Sequence, residues 1–186
     1  MHNRARQSAL QTARTYWQTG PLFLDTETTG LDSHAEIVEI CILEKDGSIL
    51  LDTLVKPFRR IPADVIQIHG ITNDMVANAP SWLEIWPQVQ TALSGRYVGV
   101  YNADFDMRML DQTNRASGIH GNARDFRFFC IMKLYAQFLG TSRWQTLQAA
   151  GRQCGLALPN AHRAQADTRL AQEVFAHIVG KSVSSW

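Results

Sequence analysis

The stretch that most constrains this chain is residues 22–30, Leu-Phe-Leu-Asp-Thr-Glu-Thr-Thr-Gly. Its apolar run stops abruptly at Asp25, the pattern of a buried strand whose end opens onto a site, because a strand interior does not tolerate unpaired carboxylates. Side chains alternate faces along a strand, so Asp25 and Glu27 project to the same side at close range. Two like charges that close repel unless a cation lies between them. An all-oxygen pair suits a hard ion such as Mg²⁺ or Mn²⁺ better than zinc. Taken alone, the same residues also fit a strand end with solvated acids and a Thr-Thr-Gly turn.

The rest of the chain divides around that strand. At 186 residues there is room for one domain with a substantial core. The expected organisation is a helical extension over 1–20, one main domain over 21–180 and a short tail over 181–186. Ala5, Ala9, Leu10, Ala13 and Trp17 recur at helical spacing over residues 5–18, and Gly20-Pro21 breaks the pattern. Segments 35–43 and 48–55 are apolar-rich and flank Glu44-Lys45-Asp46-Gly47, a strong hairpin signal, so the first three strands are expected to be antiparallel. A helix is expected from Pro62, a short one capped by Thr72 or Asn73, and a longer one from Ser81 to about residue 93. Residues 97–101 read as a strand that runs into Asn102-Ala103-Asp104-Phe105-Asp106, with helical spacing from Met107 to about 115. A further strand is expected over 127–131, then helices over 132–139, 145–154 and 161–179. Strands come first and helices interleave later, which predicts an α/β fold: a central mixed five-stranded sheet flanked by helices.

Composition removes several classes. No apolar run is long enough to span a bilayer, and the first residues lack the apolar core of a secretory signal, so a cytoplasmic protein with no membrane partner is expected. The net charge is only +1, so any contact with nucleic acid must come from a local patch and metal ions. Cys41, Cys130 and Cys154 lack the spacing of a zinc knuckle or redox pair and are expected to be buried thiols in a reducing compartment.

Three acidic places stand out: Asp25 with Glu27, Asp106 with Asp104 nearby, and Asp167 with His162 ahead of it on the last helix. In this order and on these elements the sequence resembles the DEDDh 3′-to-5′ exonucleases, which include the proofreading subunit of bacterial DNA polymerase III. The resemblance covers nearly all of the chain beyond the N-terminal helix. The family pattern Asp-x-Glu-x-Thr-Gly is matched by Asp25, Glu27, Thr29 and Gly30. Asn-x-x-Phe-Asp is matched by Asn102, Phe105 and Asp106, and His followed five positions later by Asp is matched by His162 and Asp167. Ile68-His69-Gly70-Ile71-Thr72 is similar to the family's substrate-side turn. Tyr101 departs from the pattern, since many relatives carry a His there.

The resemblance implies a ribonuclease H-like domain in which Asp25, Glu27, Asp106 and Asp167 hold two Mg²⁺ or Mn²⁺ ions and His162 is the general base. Thr28, Thr29, Gly30, Leu31, His69, Asn102 and Phe105 are implied to contact substrate. Four carboxylates suit two divalent ions about 3.5–4 Å apart, the spacing that serves phosphodiester cleavage. A neutral imidazole is well matched to proton abstraction near pH 7 to 8. His162 is five positions before Asp167, about 140° away around an ideal helix, so it is expected at or before the helix start. The expected substrate is a single-stranded or frayed 3′ end of DNA, with nucleoside 5′-monophosphates as product. An RNA-trimming enzyme is the alternative within the class, and a non-catalytic module that binds nucleic acid or a polymerase is the alternative outside it. Proofreading subunits often dock on the polymerase through a tail, and this chain stops soon after its last helix. A free-standing nuclease is therefore expected, or one whose polymerase partner or second copy binds the domain surface or the N-terminal helix.

Overall fold

Alternation along the first strand divides the molecule: Phe23 faces one core and Leu22 and Leu24 face the other. The computed structural model describes residues 2–158 and 162–181. Helix α1 (His2–Gln18) precedes the antiparallel strands β1 (Leu22–Thr28), β2 (Ile37–Leu43) and β3 (Ile49–Leu54). Helices α2 (Ala63–His69), α3 (Asn73–Val76) and α4 (Trp82–Leu93) lead to β4 (Tyr97–Val100). Helix α5 (Ala103–Ala116) and a 3₁₀ turn (Ala123–Asp125) lead to β5 (Arg127–Cys130), and α6 (Ile131–Leu139), α7 (Leu147–Gln153) and α8 (Ala164–Val179) complete the described chain.

The sheet order is β3-β2-β1-β4-β5, with β1 parallel to β4 and β4 parallel to β5. This is the expected mixed, ribonuclease H-like sheet. β1 lies at its centre and is buried on both faces, which explains its near-continuous apolar start. On one face Phe23, Cys41 and Phe129 pack against α8 through Phe175 and Val174. On the other, Leu22, Leu24, Ile40 and Val98 pack under Trp82, Trp86 and Leu110 of α4 and α5. Gly99 of β4 permits this closeness: a Cβ there would stand 2.7 Å from the Phe129 ring and 3.1 Å from Phe23.

The N-terminal helix belongs to the same body. Ala9 and Ala13 are fully buried, and α1 packs against α6 and α8. Tyr16 stacks on Phe129 with ring centroids 4.3 Å apart, and Trp17 meets Phe175 at 6.1 Å. Arg6 lies over the Phe138 ring, so at least one of the helix's arginines is occupied by packing.

Most expected elements are present with ends moved by a few residues. Thr72 caps α3 by accepting from the Met75 N–H, and Glu84 accepts from the Ser81 N–H at the start of α4, as the sequence signals require. The main differences are at the site. Helix α5 begins at Ala103, four residues earlier than the apolar spacing indicated, because Asp104 and Asp106 in its first turn suit the positive end of the helix dipole. Helix α8 begins at Ala164; the expected start at 161 and the tail over 182–186 lie outside the described residues. Cys41 is buried, its thiol pushed up to about 12 chiefly by burial, whereas Cys130 and Cys154 are only partly buried. Among the described residues no helix is long and apolar enough to cross a membrane.

Parallel strands β1 and β4 end at the same sheet edge, yet the chain leaves them in opposite directions, to β2 from one and through α5 to β5 from the other. A crevice forms at such a switch point beyond the strand ends. Phe175 ties α8 to this sheet through Phe23 and Phe129 and to α1 through Trp17. Phe175→Ala is expected to cost about 3–5 kcal/mol of unfolding free energy, read as a lower midpoint in urea with an unchanged slope.

Candidate active site

Asp25 and Glu27 follow Phe23 on the face of β1 that α8 covers, and Asp167 lies in the first turn of α8. One carboxylate oxygen from each of the three lies within 4.8 Å of the others. Burial and mutual repulsion act in the same direction here. Asp25 is pushed well above the usual carboxylate range, first by burial and then by Asp106, Glu27 and Asp167. Glu27 is pushed up to about 8 by burial, Asp167, Glu39 and Asp106, against a lowering pull from Arg163. Asp167 is raised by burial, an effect opposed by the charge and backbone N–H of the neighbouring His162. Its Oδ1 is buried without a hydrogen-bond partner among the described residues. A buried orphan oxygen beside two crowded carboxylates is what a cation would satisfy, and the all-oxygen donor set fits a hard divalent ion.

Asp106 reaches this end of the sheet from the opposite layer, in the first turn of α5. It is buried and accepts a 2.8 Å hydrogen bond from the Thr26 hydroxyl. Burial pushes its pKa up to about 7, opposed by that hydrogen bond. Asp106 therefore stands beside the compact group of three rather than in it, while its charge bears on both Asp25 and Glu27. Thr26 was not visible as a functional residue in the sequence. Its only signal is the strand period, which turns it toward α5 between the two acids.

His162 is exposed and holds a left-handed backbone, φ +67°, the one such non-glycine conformation among the described residues. A conformation of this kind persists where the surroundings impose it. The two residues that follow His162 are held by Glu39, buried in the middle of β2 opposite Glu27. Its carboxylate accepts from Nε of Arg163 at 3.0 Å, from the Arg163 Nη2 and from the Ala164 N–H at 2.8 Å. One buried carboxylate thus satisfies an N–H at the start of α8 and a guanidinium beside it. The helix begins there, and His162 is left outside it at the rim of the acid cluster. Sequence reasoning passed over Glu39 because it sits within the apolar run Ile37-Val38-Glu39-Ile40-Cys41-Ile42, where a lone acid was the available signal.

The residues expected on the substrate side separate into two groups. Thr28 donates to the Gly30 carbonyl at 2.7 Å, and Thr29 accepts from the Glu36 N–H at 3.0 Å, so both hydroxyls close the loop after β1. Gly30 holds φ +155°, a backbone that side chains rarely adopt, and the next residue, Leu31, is 77% exposed. His69 is buried: its Nδ1 accepts from the Ile71 N–H at 3.0 Å, which leaves Nε2 to donate to the Thr28 carbonyl at 3.2 Å. Both ring nitrogens are used to brace the end of β1, and burial holds the ring's pKa below the usual value. Asn102 is exposed ahead of α5, Phe105 is half-buried under Arg108, and Asp104 is turned away toward Lys133. Tyr101 points inward, its hydroxyl donating to the Gln145 carbonyl, which explains why an aromatic with a polar tip occupies that position.

Residues 22–175 match the family model described as an exonuclease. The exonuclease CP81 of Escherichia phage 186 is 39% identical over 171 residues, covering 86% of this chain and 88% of that protein. The epsilon subunit of DNA polymerase III from Treponema pallidum is 32% identical over 164 residues, covering 83% and 74%. Among solved structures, exonuclease X in complex with 5′-overhanging duplex DNA superposes with a TM-score of 0.64 at 26% identity, over 87% of this chain and 94% of that one. The nuclease domain of 3′hExo, a DEDDh family member bound to rAMP, shares the fold with a TM-score of 0.75 at 16% identity, over 87% and 92%. With the acids of β1, α5 and α8 and the His ahead of α8 in the order that marks the DEDDh type, the chain belongs to the exonuclease family and is a 3′-to-5′ exonuclease of that type.

Proposed function

We propose that the enzyme removes nucleotides from single-stranded or frayed 3′ ends of DNA, with two Mg²⁺ or Mn²⁺ ions as cofactor and nucleoside 5′-monophosphates as product. The observation that carries this is the acid group of half-buried Asp25 and Glu27 and buried Asp167 with its orphan oxygen, flanked by Asp106. These four residues would hold the ions, whose charge would offset the charge that develops on the phosphate during cleavage. The protein's own part is positional. Thr26 fixes one Asp106 oxygen, so that the carboxylate meets the cluster in one orientation. Glu39 and Arg163 keep His162 outside α8, where its imidazole takes the proton from the attacking water. The loop closed by Thr28 and Thr29 presents Leu31 to the terminal nucleotide, with Asn102 and Phe105 shaping the opposite wall and His69 bracing the loop from beneath.

The preference for DNA draws support from the relatives above 30% identity that are DNA polymerase III subunits, the Treponema pallidum epsilon subunit among them. Digestion of matched DNA and RNA oligonucleotides, labelled at either end, in Mg²⁺, Mn²⁺ or EDTA, tests substrate, polarity and cofactor together. Stepwise loss of mononucleotides from DNA 3′ ends that stops in EDTA is the expected result, and faster digestion of RNA would transfer the assignment to RNA trimming.

Asp25→Asn is expected to abolish nucleotide release in Mg²⁺ while circular dichroism stays native, since the change removes a charge the cluster holds at a cost in repulsion. His162→Gln is expected to lower kcat by about 10²–10⁴-fold and to flatten the acid limb of the pH profile; an unaltered limb would remove His162 from the base role.

Stability should carry the same imprint. Glu27 keeps its proton up to about pH 8 in the folded, metal-free chain and loses it near 4.5 when unfolded. The fold therefore binds the extra proton between those values, and metal-free stability falls as pH rises through that window. A divalent ion needs the deprotonated carboxylates. The rise in Tm produced by Mg²⁺ over EDTA is expected to grow from about pH 5 to about pH 8, and a pH-independent increment in parallel thermal scans would contradict the assignment.

A further inference from the structure

Beyond the acid cluster, two depressions of about 440 and 350 Å³ meet along the outer side of α5. They share Ser33, Gln112 and Arg115. The first extends to Phe58 and Arg59, and the second extends through Arg108 and Arg124 to Asp104, two residues from Asp106. Together they make one groove that borders the loop after β1, two residues from Leu31, and runs along α5 to the loop after β3.

Its walls are held by buried polar clamps. Gln112 of α5 donates to the carbonyls of Asp32 and Ala35 at 3.0 and 3.1 Å and fixes the loop after Leu31 against the helix. The buried Glu36 accepts from the N–H groups of Phe58 and Arg59 at 2.9 and 3.0 Å and fixes the second loop. A loop pinned at its backbone by a buried carboxylate nevertheless turns the Phe58 ring outward, 73% exposed, and Arg59 and Arg60 beside it. An exposed ring on a fixed loop has no use in the core.

The charges are equally asymmetric. Among the described residues none of Arg59, Arg108, Arg115 and Arg124 has a carboxylate within ion-pair distance. Each acid along the groove is already engaged: Asp104 by Lys133, Asp111 by the Ala123 N–H and Glu36 by the two loop N–H groups. N–H hydrogen bonds leave Glu36 and Asp111 charged, but with Asp104 paired to Lys133 the four guanidiniums outnumber them, so the excess charge is cationic, carried by planar forks suited to phosphate next to an aromatic face suited to a base.

We propose that this groove is a second binding segment for the DNA strand, in which Arg59 and Arg115 hold backbone phosphates and Phe58 stacks on a base away from the reacting end. The assignment rests on the exonuclease activity proposed above and adds to it a dependence on strand length that the acid cluster alone would not produce. With a net charge of only +1, the enzyme has little long-range attraction for DNA, and local guanidiniums must supply it.

The test compares wild type, Phe58→Ala and the double variant Arg59→Gln/Arg115→Gln on three probes. These are the p-nitrophenyl ester of thymidine 5′-monophosphate, a trinucleotide and a single-stranded 20-mer. The expected result is an unchanged rate on the ester and trinucleotide, with KM for the 20-mer raised about tenfold at constant kcat. In the double variant, the slope of log KM against log salt for the 20-mer is expected to be smaller by about 1.4, roughly 0.7 for each lost phosphate contact. Binding of a labelled 20-mer in EDTA, followed by fluorescence anisotropy, reads the groove without catalysis. If wild type hydrolyses none of the probes but binds the 20-mer and the variants do not, the proposed activity fails and the groove stands. Variants that match wild type in KM, salt slope and anisotropy would overturn the groove, as would an equal loss on the ester.

Discussion

Crowding of carboxylates at the end of β1 is the constraint from which the rest of the molecule takes its form. Asp25, Glu27 and Asp167 are driven together in a region that burial makes hostile to charge, with Asp106 and Glu39 adding to the repulsion. No protein would gain stability from such a group by itself. The surrounding structure supplies the opposing forces: apolar cores on both faces of the sheet, an aromatic cluster from Trp17 to Phe175, and a helix whose first turn offers its positive end to Asp167. Raised pKa values throughout the cluster express the same imbalance, and a divalent cation is the species that would relieve it.

Of these acids, Glu39 is the one paired with a cationic side chain among the described residues, and that difference sets it apart. Asp25 and Glu27 are paired by position on one strand, whereas Glu39 finds Arg163 and the first N–H of α8. A charge neutralised by a guanidinium and by a helix N-terminus is available for holding structure rather than for binding an ion. Its effect is felt at His162, one residue before Arg163, which is left with a strained backbone at the rim. On the function proposed above, the arrangement separates two demands that conflict in a single residue: a rigid anchor in the sheet and an imidazole free to approach substrate.

Much of this was legible in the sequence, and what was missed was missed for physical reasons. The Asp-x-Glu pair, the acid after β4 and the His and Asp of the last helix stand at ends of elements, where hydrophobic periodicity breaks and a polar residue is conspicuous. The antiparallel start of the sheet followed from an Asp-Gly hairpin and its mixed character from helices interleaved with the later strands, whereas the order β3-β2-β1-β4-β5 came from the structure. Thr26, Glu36, Glu39 and Gln112 lie inside elements or beside apolar runs, and their importance comes from partners 22 to 125 positions away. Local pattern carries no information about such pairings. The start of α5 was placed too late for a related reason: apolar spacing marks the buried face of a helix, while its first turn is set by capping and charge.

The division between visible and hidden residues also corresponds to a division of function. On the function proposed above, the groups that face the reacting phosphate must be acids or a base, a narrow chemical choice that leaves a pattern in the chain. Groups that hold those residues in place need only reach a backbone N–H or carbonyl, and Gln112, Thr29 and His69 do so with three different side chains. The loop they brace, after β1, carries the exposed Leu31, and the loop after β3 that Glu36 holds carries the exposed Phe58 and Arg59. Rigid backbone and outward side chains are compatible because the clamps act on the peptide groups alone. A site built this way can change what it grips by changing the exposed residues, while the buried clamps and the acid cluster stay as they are.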